Sequence, residues 1–159
     1  MSVIDLEFAA PVYRVKYLEQ EQEYMIRQKS IIVNESEEPL LINNRPLLFF
    51  QSIIAVNTML ENIKRCIIIE DFDRYADEGV LVRKLKEHWL LAYDATHEER
   101  HKGVQMWRTG RCRLGDLSVY MCFGDSIPLN VGIHKTHSVG KIKEVHTQLY
   151  GYGKIQQCY

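Results

Sequence analysis

Three histidines and one glutamate lie close together in the last third of the chain: His134, His137, Glu144 and His146. Neutral imidazole nitrogens and a carboxylate are a ligand set suited to a divalent first-row metal. Residues two apart on a strand point to the same side, so Glu144 and His146 would share a face by simple alternation. The cluster predicts a metal site, and Tyr150 could form part of the wall of its pocket.

The order of residues over 132–153 resembles the first sequence motif of the cupin superfamily. That motif has a glycine, two closely spaced histidines, a glutamate and a second glycine seven residues after the glutamate. Gly132 and Gly151 occupy the two glycine positions, and Gly151-Tyr152-Gly153 resembles the turn that joins two cupin strands. The resemblance implies a small β-barrel whose interior holds iron, manganese, nickel or zinc, with His134, His137 and Glu144 as ligands.

Two features of the stretch differ from the family pattern. The histidines are spaced H-x-x-H, so on a regular strand their rings would point to opposite faces. Either a bulge near Lys135 corrects this, or one histidine is not a ligand and His146 replaces it. The second cupin motif has no counterpart, and a barrel needs about eight strands. Either the natural chain continues past residue 159, or a partner chain completes the barrel, or the likeness ends with the motif.

A second possible metal site reads H-E-x-x-H, with His97, Glu98 and His101. On a helix the two histidines would share a face and could bind zinc, with Glu98 as general base. The flanking residues are charged rather than apolar, which favours a solvated helix end or loop. This stretch is the basis of a weaker alternative, a zinc hydrolase.

Three arginines alternate with other residues just after Trp107: Arg108, Arg111 and Arg113. The planar guanidinium fork matches carboxylates and phosphates. If the substrate is an anion, these arginines are its expected partners. The competing interpretation is a solvated strand face.

The hydrophobic pattern predicts a mainly β protein, a cupin-like β-barrel or sandwich, with about two helices in the middle of the chain. Alternation over 11–17 and apolar runs at 31–33, 40–42 and 66–69 predict strands. Apolar residues at three- and four-residue steps predict a helix over 52–64 and a second over 80–93. Beyond Gly103, glycines at close intervals separate short segments, which is typical of sandwiches and barrels.

Composition limits the classes of protein to consider. The chain has 159 residues, 46% hydrophobic and 26% charged, with a net charge of −1, and we expect one domain over 1–159, with 103–159 carrying the metal-site hairpin. Neither nucleic acid nor a membrane is indicated as a partner. The acidic N-terminal residues favour a cytoplasmic protein over a secreted one. Four scattered cysteines without a C-x-x-C predict buried thiols rather than a disulfide framework.

These observations lead to one main expectation and one alternative of a different class. The main expectation is a homo-oligomeric (homodimeric) metal-dependent enzyme that acts on a small polar or anionic molecule, as an isomerase, lyase or dioxygenase. The alternative is a non-catalytic β-rich subunit or interaction domain that pairs with a partner strand.

Overall fold

The computed structural model describes residues 2–75, 78–94, 105–110, 112 and 119–123. Within these residues the chain is mainly antiparallel β, as predicted, with one short helix. In chain order the elements are β1 (Ser2–Leu6), β2 (Arg14–Ile26), β3 (Ser30–Asn34), β4 (Leu40–Ile42), β5 (Arg45–Leu47), β6 (Ser52–Ala55), β7 (Thr58–Glu70), α1 (Glu78–His88), β8 (Leu90–Asp94), β9 (Gln105–Arg108) and β10 (Tyr120–Phe123).

The long antiparallel pair of β2 and β7 organises the main sheet. The two strands run together from the Arg14–Glu70 pair to the Ile26–Thr58 pair, and β1 lies on the other side of β2. Next to β7, β3 pairs with residues 66–69 and is followed by β6, whereas β4 and β5 extend the sheet from residues 60–61. Successive parts of β7 therefore belong to two different portions of the sheet.

The pair of long strands bends sharply near its middle. Gln20 and Asn62 have φ angles of 54° and 58°, values that side chains other than glycine rarely adopt within a strand. Eight residues of straight strand span about 26 Å, which is too far for two side chains to bridge. Lys16 Nζ nevertheless lies 3.4 Å from the Tyr24 hydroxyl, so the strand folds back on itself between these residues.

The bend encloses one hydrophobic core between the two portions of the sheet. Residues before the bend in β2 and after it in β7, such as Leu18 and Ile68, share this core with Ile26 and Leu60 from the other portion. The core consists of Leu18, Ile26, Ile32, Leu40, Ile42, Leu47, Leu60, Ile63, Cys66 and Ile68. Because apolar side chains from both portions meet there, the arrangement is that of two packed sheet layers.

A second core lies on the opposite face of the same sheet. Leu81, Leu85 and Trp89 repeat every four residues, so one side of α1 and the residue just beyond it supply its apolar cover. The connection between β1 and β2 packs there too, and the Tyr75 hydroxyl holds it by donating to the Val12 carbonyl oxygen at 2.6 Å. Both faces of the central strands are thus covered by apolar residues.

A smaller antiparallel sheet follows α1 in the order β8-β9-β10, with a register shift between Leu91 and Tyr93. Trp107 of β9 is buried in the core beneath α1. None of the helices in the described part of the chain is long and apolar enough to cross a bilayer.

Two sequence-based expectations for the helices need correction. The predicted helix over 52–64 is wrong, because these residues form β6 and the first half of β7, joined by a turn in which Asn57 has a φ of 49°. The predicted helix over 80–93 exists but ends at His88, and Leu90 already begins β8. The described residues therefore contain one helix where about two were expected.

Candidate functional site

Most of the residues predicted to form a site lie outside the part of the chain that the structure describes. These residues are His134, His137, Glu144 and His146 of the metal cluster, Arg111, Arg113 and Tyr150 of the substrate set, and His97, Glu98 and His101 of the H-E-x-x-H stretch. The described residues contain no group of three or more histidine, cysteine, aspartate or glutamate side chains that could hold a metal ion.

Arg108 is the one predicted site residue that the structure describes. It lies on β9, the central strand of the small sheet, opposite Leu90 on one side and Tyr120 on the other. Its neighbours Trp107 and Thr109 are buried in the interior, whereas Arg108 is half-buried, as alternation along a strand requires. Among the described residues no carboxylate lies within 4.0 Å of its guanidinium, so this charge could bind an anion.

The described residues contain a polar cluster that sequence reasoning missed, at the end of the core between the sheet layers. Glu70, only 5% exposed, accepts a hydrogen bond from Gln28 Nε2 at 2.6 Å and pairs with Lys16 Nζ at 2.9 Å. Arg14 approaches the same carboxylate at 4.0 Å from solvent. Lys16 also reaches the Tyr24 hydroxyl. Each ion in the cluster has a partner, which is the condition for burying charge at acceptable cost.

Electrostatics in this cluster favour the charged form of Lys16. Burial by itself lowers the pKa of Lys16, but the hydrogen bond and the negative charge of Glu70, with a smaller contribution from Tyr24, outweigh it and raise the pKa above 10.5. A lysine with a raised pKa stays protonated and is unsuited to act as a general base or an amine nucleophile near neutral pH. The cluster therefore acts as a structural link across the bend.

A second charged group lies on the opposite face of the sheet, where Glu19, Arg65 and Glu35 stand side by side on β2, β7 and the residue after β3. Burial raises the pKa of Glu35, and the positive charge of Arg65 only partly offsets this. Tyr17, buried beside them, has a pKa raised by burial and then by the charges of Glu19 and Glu35. A carboxyl group that holds its proton more tightly than usual is suited to donating it.

The thiol of Cys66 is chemically inert by its position. It is completely buried between the sheet layers, and burial, with a smaller contribution from the charge of Glu35, raises its pKa far above the ordinary value. Because the thiolate is the reactive form, Cys66 is a packing residue, as predicted from the scattered cysteines.

Two buried donors in the core beneath α1 have no acceptor in the described part of the chain. These are the indole nitrogens of Trp89 and Trp107, both less than 10% exposed. The Trp89 ring packs edge-on against Tyr13 at 5.7 Å between centroids. No sequence pattern identified these donors, because tryptophans at such positions are ordinary core residues.

Comparison with known proteins does not identify the chain. No family model matches it, and neither the curated proteins nor the solved structures contain a match. Its function must therefore be inferred from the chemistry of its own residues.

Proposed function

We propose that the protein is a metal-dependent, cupin-like enzyme that acts on a small polar or anionic molecule. The observation that carries the proposal is the ligand set His134, His137, Glu144 and His146 within 13 residues, in the order of the first cupin motif. Three imidazoles and a carboxylate match the preferences of Fe, Mn, Ni and Zn. The mainly antiparallel architecture of the described residues is the kind of scaffold that the proposal requires.

The proposed metal is resident rather than consumed. When bound, it would supply Lewis-acid polarisation of a substrate oxygen. The residues of this chain would then hold and orient the substrate. Arg108, half-buried and without a carboxylate partner in the described residues, is the described side chain best suited to bind a substrate carboxylate or phosphate, and Arg111, Arg113 and Tyr150 are proposed to assist it.

The test is the metal content of the purified protein by elemental analysis, with single histidine variants. We expect bound metal in the parent protein and its loss in His146→Ala. The control is His88→Ala, which removes an exposed histidine at the end of α1 that lies 3.6 Å from Glu87; this variant keeps the metal. Loss of metal in His101→Ala but not in His146→Ala would instead support the zinc hydrolase. A parent protein without metal after incubation with each of the four ions contradicts both.

A further inference from the structure

The free edge of the main sheet at β1 has a defined set of unpaired backbone groups. Glu35 N donates to the Arg65 carbonyl oxygen at 3.1 Å, which shows that odd-numbered residues at this end of β7 face β3 and even-numbered ones face β2. Applying the same alternation across β2, through the Tyr17–Ile4 and Lys16–Ile68 pairs, the N–H and C=O groups of Val3 and Asp5 point away from the sheet. Among the described residues β1 has a partner on one side only.

The side chains of this edge are apolar on both faces. Val3 is 46% exposed and Ile4 is 41% exposed, and neighbouring residues of a strand point to opposite faces. Natural proteins usually protect such an edge with lysine, proline or a bulge, and β1 has none of these. An edge with exposed β-branched residues and outward backbone groups suits the addition of an extended strand.

The charge at this edge is negative. Residues 2–13 contain two carboxylates, Asp5 and Glu7, and no cationic side chain, and both acids are exposed. Neither has a cation within 4.0 Å among the described residues. The lysine across from Asp5, Lys16, is already paired with Glu70 at 2.9 Å.

A shallow cleft continues this surface beyond the end of β1. Asp5 and Glu7 line it together with Tyr13, and Arg14 borders it while facing Glu70 at 4.0 Å. A cationic side chain that follows the edge would meet two carboxylates and an aromatic ring here. Opposite charges directly across a strand pair stabilise it, and like charges destabilise it.

We infer that β1 binds an extended, positively charged peptide segment of a partner protein, in which lysine or arginine alternates with β-branched residues. The segment pairs with the outward backbone groups of Val3 and Asp5. Its cationic side chains lie beside Asp5 and Glu7, and its β-branched side chains pack on Ile4. This interaction is independent of the proposed metal site, and it gives a defined surface to the interaction domain considered from the sequence.

The test uses a capped hexapeptide in which lysine alternates with valine, and a second in which glutamate replaces lysine, added to the full chain. Amide hydrogen exchange measured by NMR is expected to slow at Val3 and Asp5, whereas Ile4, already bonded to β2, is unchanged. Fluorescence anisotropy is expected to show the glutamate peptide binding about three- to fivefold more weakly. Asp5→Lys reverses this preference, and Asp5→Asn removes most of it should the lysine variant fold poorly.

A matched control is Val56→Lys, which changes a 50% exposed valine next to β6, the other edge strand; it leaves the preference unchanged. Unaltered exchange at Val3 and Asp5, or equal binding of the two peptides, would overturn the inference. Slower exchange at these residues without peptide, increasing with protein concentration, would assign the edge to a second copy of the chain and would also overturn it.

Discussion

Replacing Glu70 by glutamine tests whether the ionic link across the bend stabilises the fold. The Glu70 side chain is 7% exposed and that of Lys16 is 21% exposed, with 2.9 Å between the charged atoms. Removing one partner of a buried pair leaves the other charge without compensation, which costs about 3–5 kcal/mol when burial is complete. Because Lys16 keeps some contact with water, we expect Glu70→Gln to lower the free energy of unfolding by about 2–3 kcal/mol.

The assay is urea unfolding of the parent and the variant, read as a change in midpoint at constant slope. The control is Glu38→Gln, which removes the acid of an ion pair at 3.9 Å whose glutamate is 62% exposed; exposed pairs contribute little, so we expect a change below about 0.5 kcal/mol. Adding Lys16→Met to Glu70→Gln is expected to recover part of the loss, because the unpaired charge is then removed. Equal midpoints for Glu70→Gln and Glu38→Gln would refute the reasoning.

The pH dependence provides an independent check on the same pair. The folded-state pKa of Lys16 lies above 10.5, so the pair contributes its full stability below the unfolded-state pKa and loses it as the pH rises through the folded-state value. The difference in unfolding free energy between the parent and Glu70→Gln is therefore expected to be constant from neutral pH to about 10 and to decrease above that. A difference that grows in alkali would contradict the assignment.

Three further predictions concern single residues. Asn62→Gly is expected to keep or slightly raise the urea midpoint and Asn62→Val to lower the free energy of unfolding by about 1–2 kcal/mol, because the φ of 58° at the bend disfavours a β-branched residue; similar midpoints would contradict a bend at this position. Burial raises the pKa of Glu35, so folding is more favourable below its unfolded-state pKa than above it; Glu35→Gln should gain stability relative to the parent as the pH rises through the folded-state pKa, and an unchanged difference would argue against this. Cys66 is expected to resist iodoacetamide in the native protein, while half-buried Cys112 reacts faster; peptide mapping by mass spectrometry measures both, and rapid labelling of Cys66 would refute its burial.

The sequence predicted the strands whose alternation is local. Alternation over 11–17 and the apolar runs at 31–33, 40–42 and 66–69 correspond to strands of the structure, the first of which begins at Arg14. A strand covered on one side by a core and on the other by solvent or a second core leaves a pattern in its own residues. For these elements no information from distant parts of the chain was needed.

The error at 52–64 has a physical cause. Ile53, Val56, Met59, Leu60 and Ile63 have helical spacing, yet they come from two strands separated by a turn at Asn57. The bend at Asn62 then shifts the alternation of β7, so that Leu60 and Ile63 are both buried in one core. A turn and a bend placed a few residues apart thus produced the period of a helix.

The polar cluster could not have been predicted from the sequence. Lys16 and Glu70 are far apart in the chain, and their pairing depends on strand register, while the contact of Lys16 with Tyr24 depends on the bend at Gln20. Nothing in the spacing of these residues distinguishes them from a solvated strand face. In contrast, the proposed metal ligands lie within 13 consecutive residues, so their types and spacing are enough to suggest a site.

X-ray absorption at the metal edge of the purified, metal-loaded protein tests the central claim most directly. The account predicts a first shell of nitrogen and oxygen atoms only, at about 2.0–2.2 Å, supplied by the histidines and the glutamate of 132–153. It also predicts that this shell loses nitrogen in His146→Ala and is unchanged in His88→Ala. A sulfur shell near about 2.3 Å, which would indicate cysteine ligands, or a protein that takes up no metal, would contradict it.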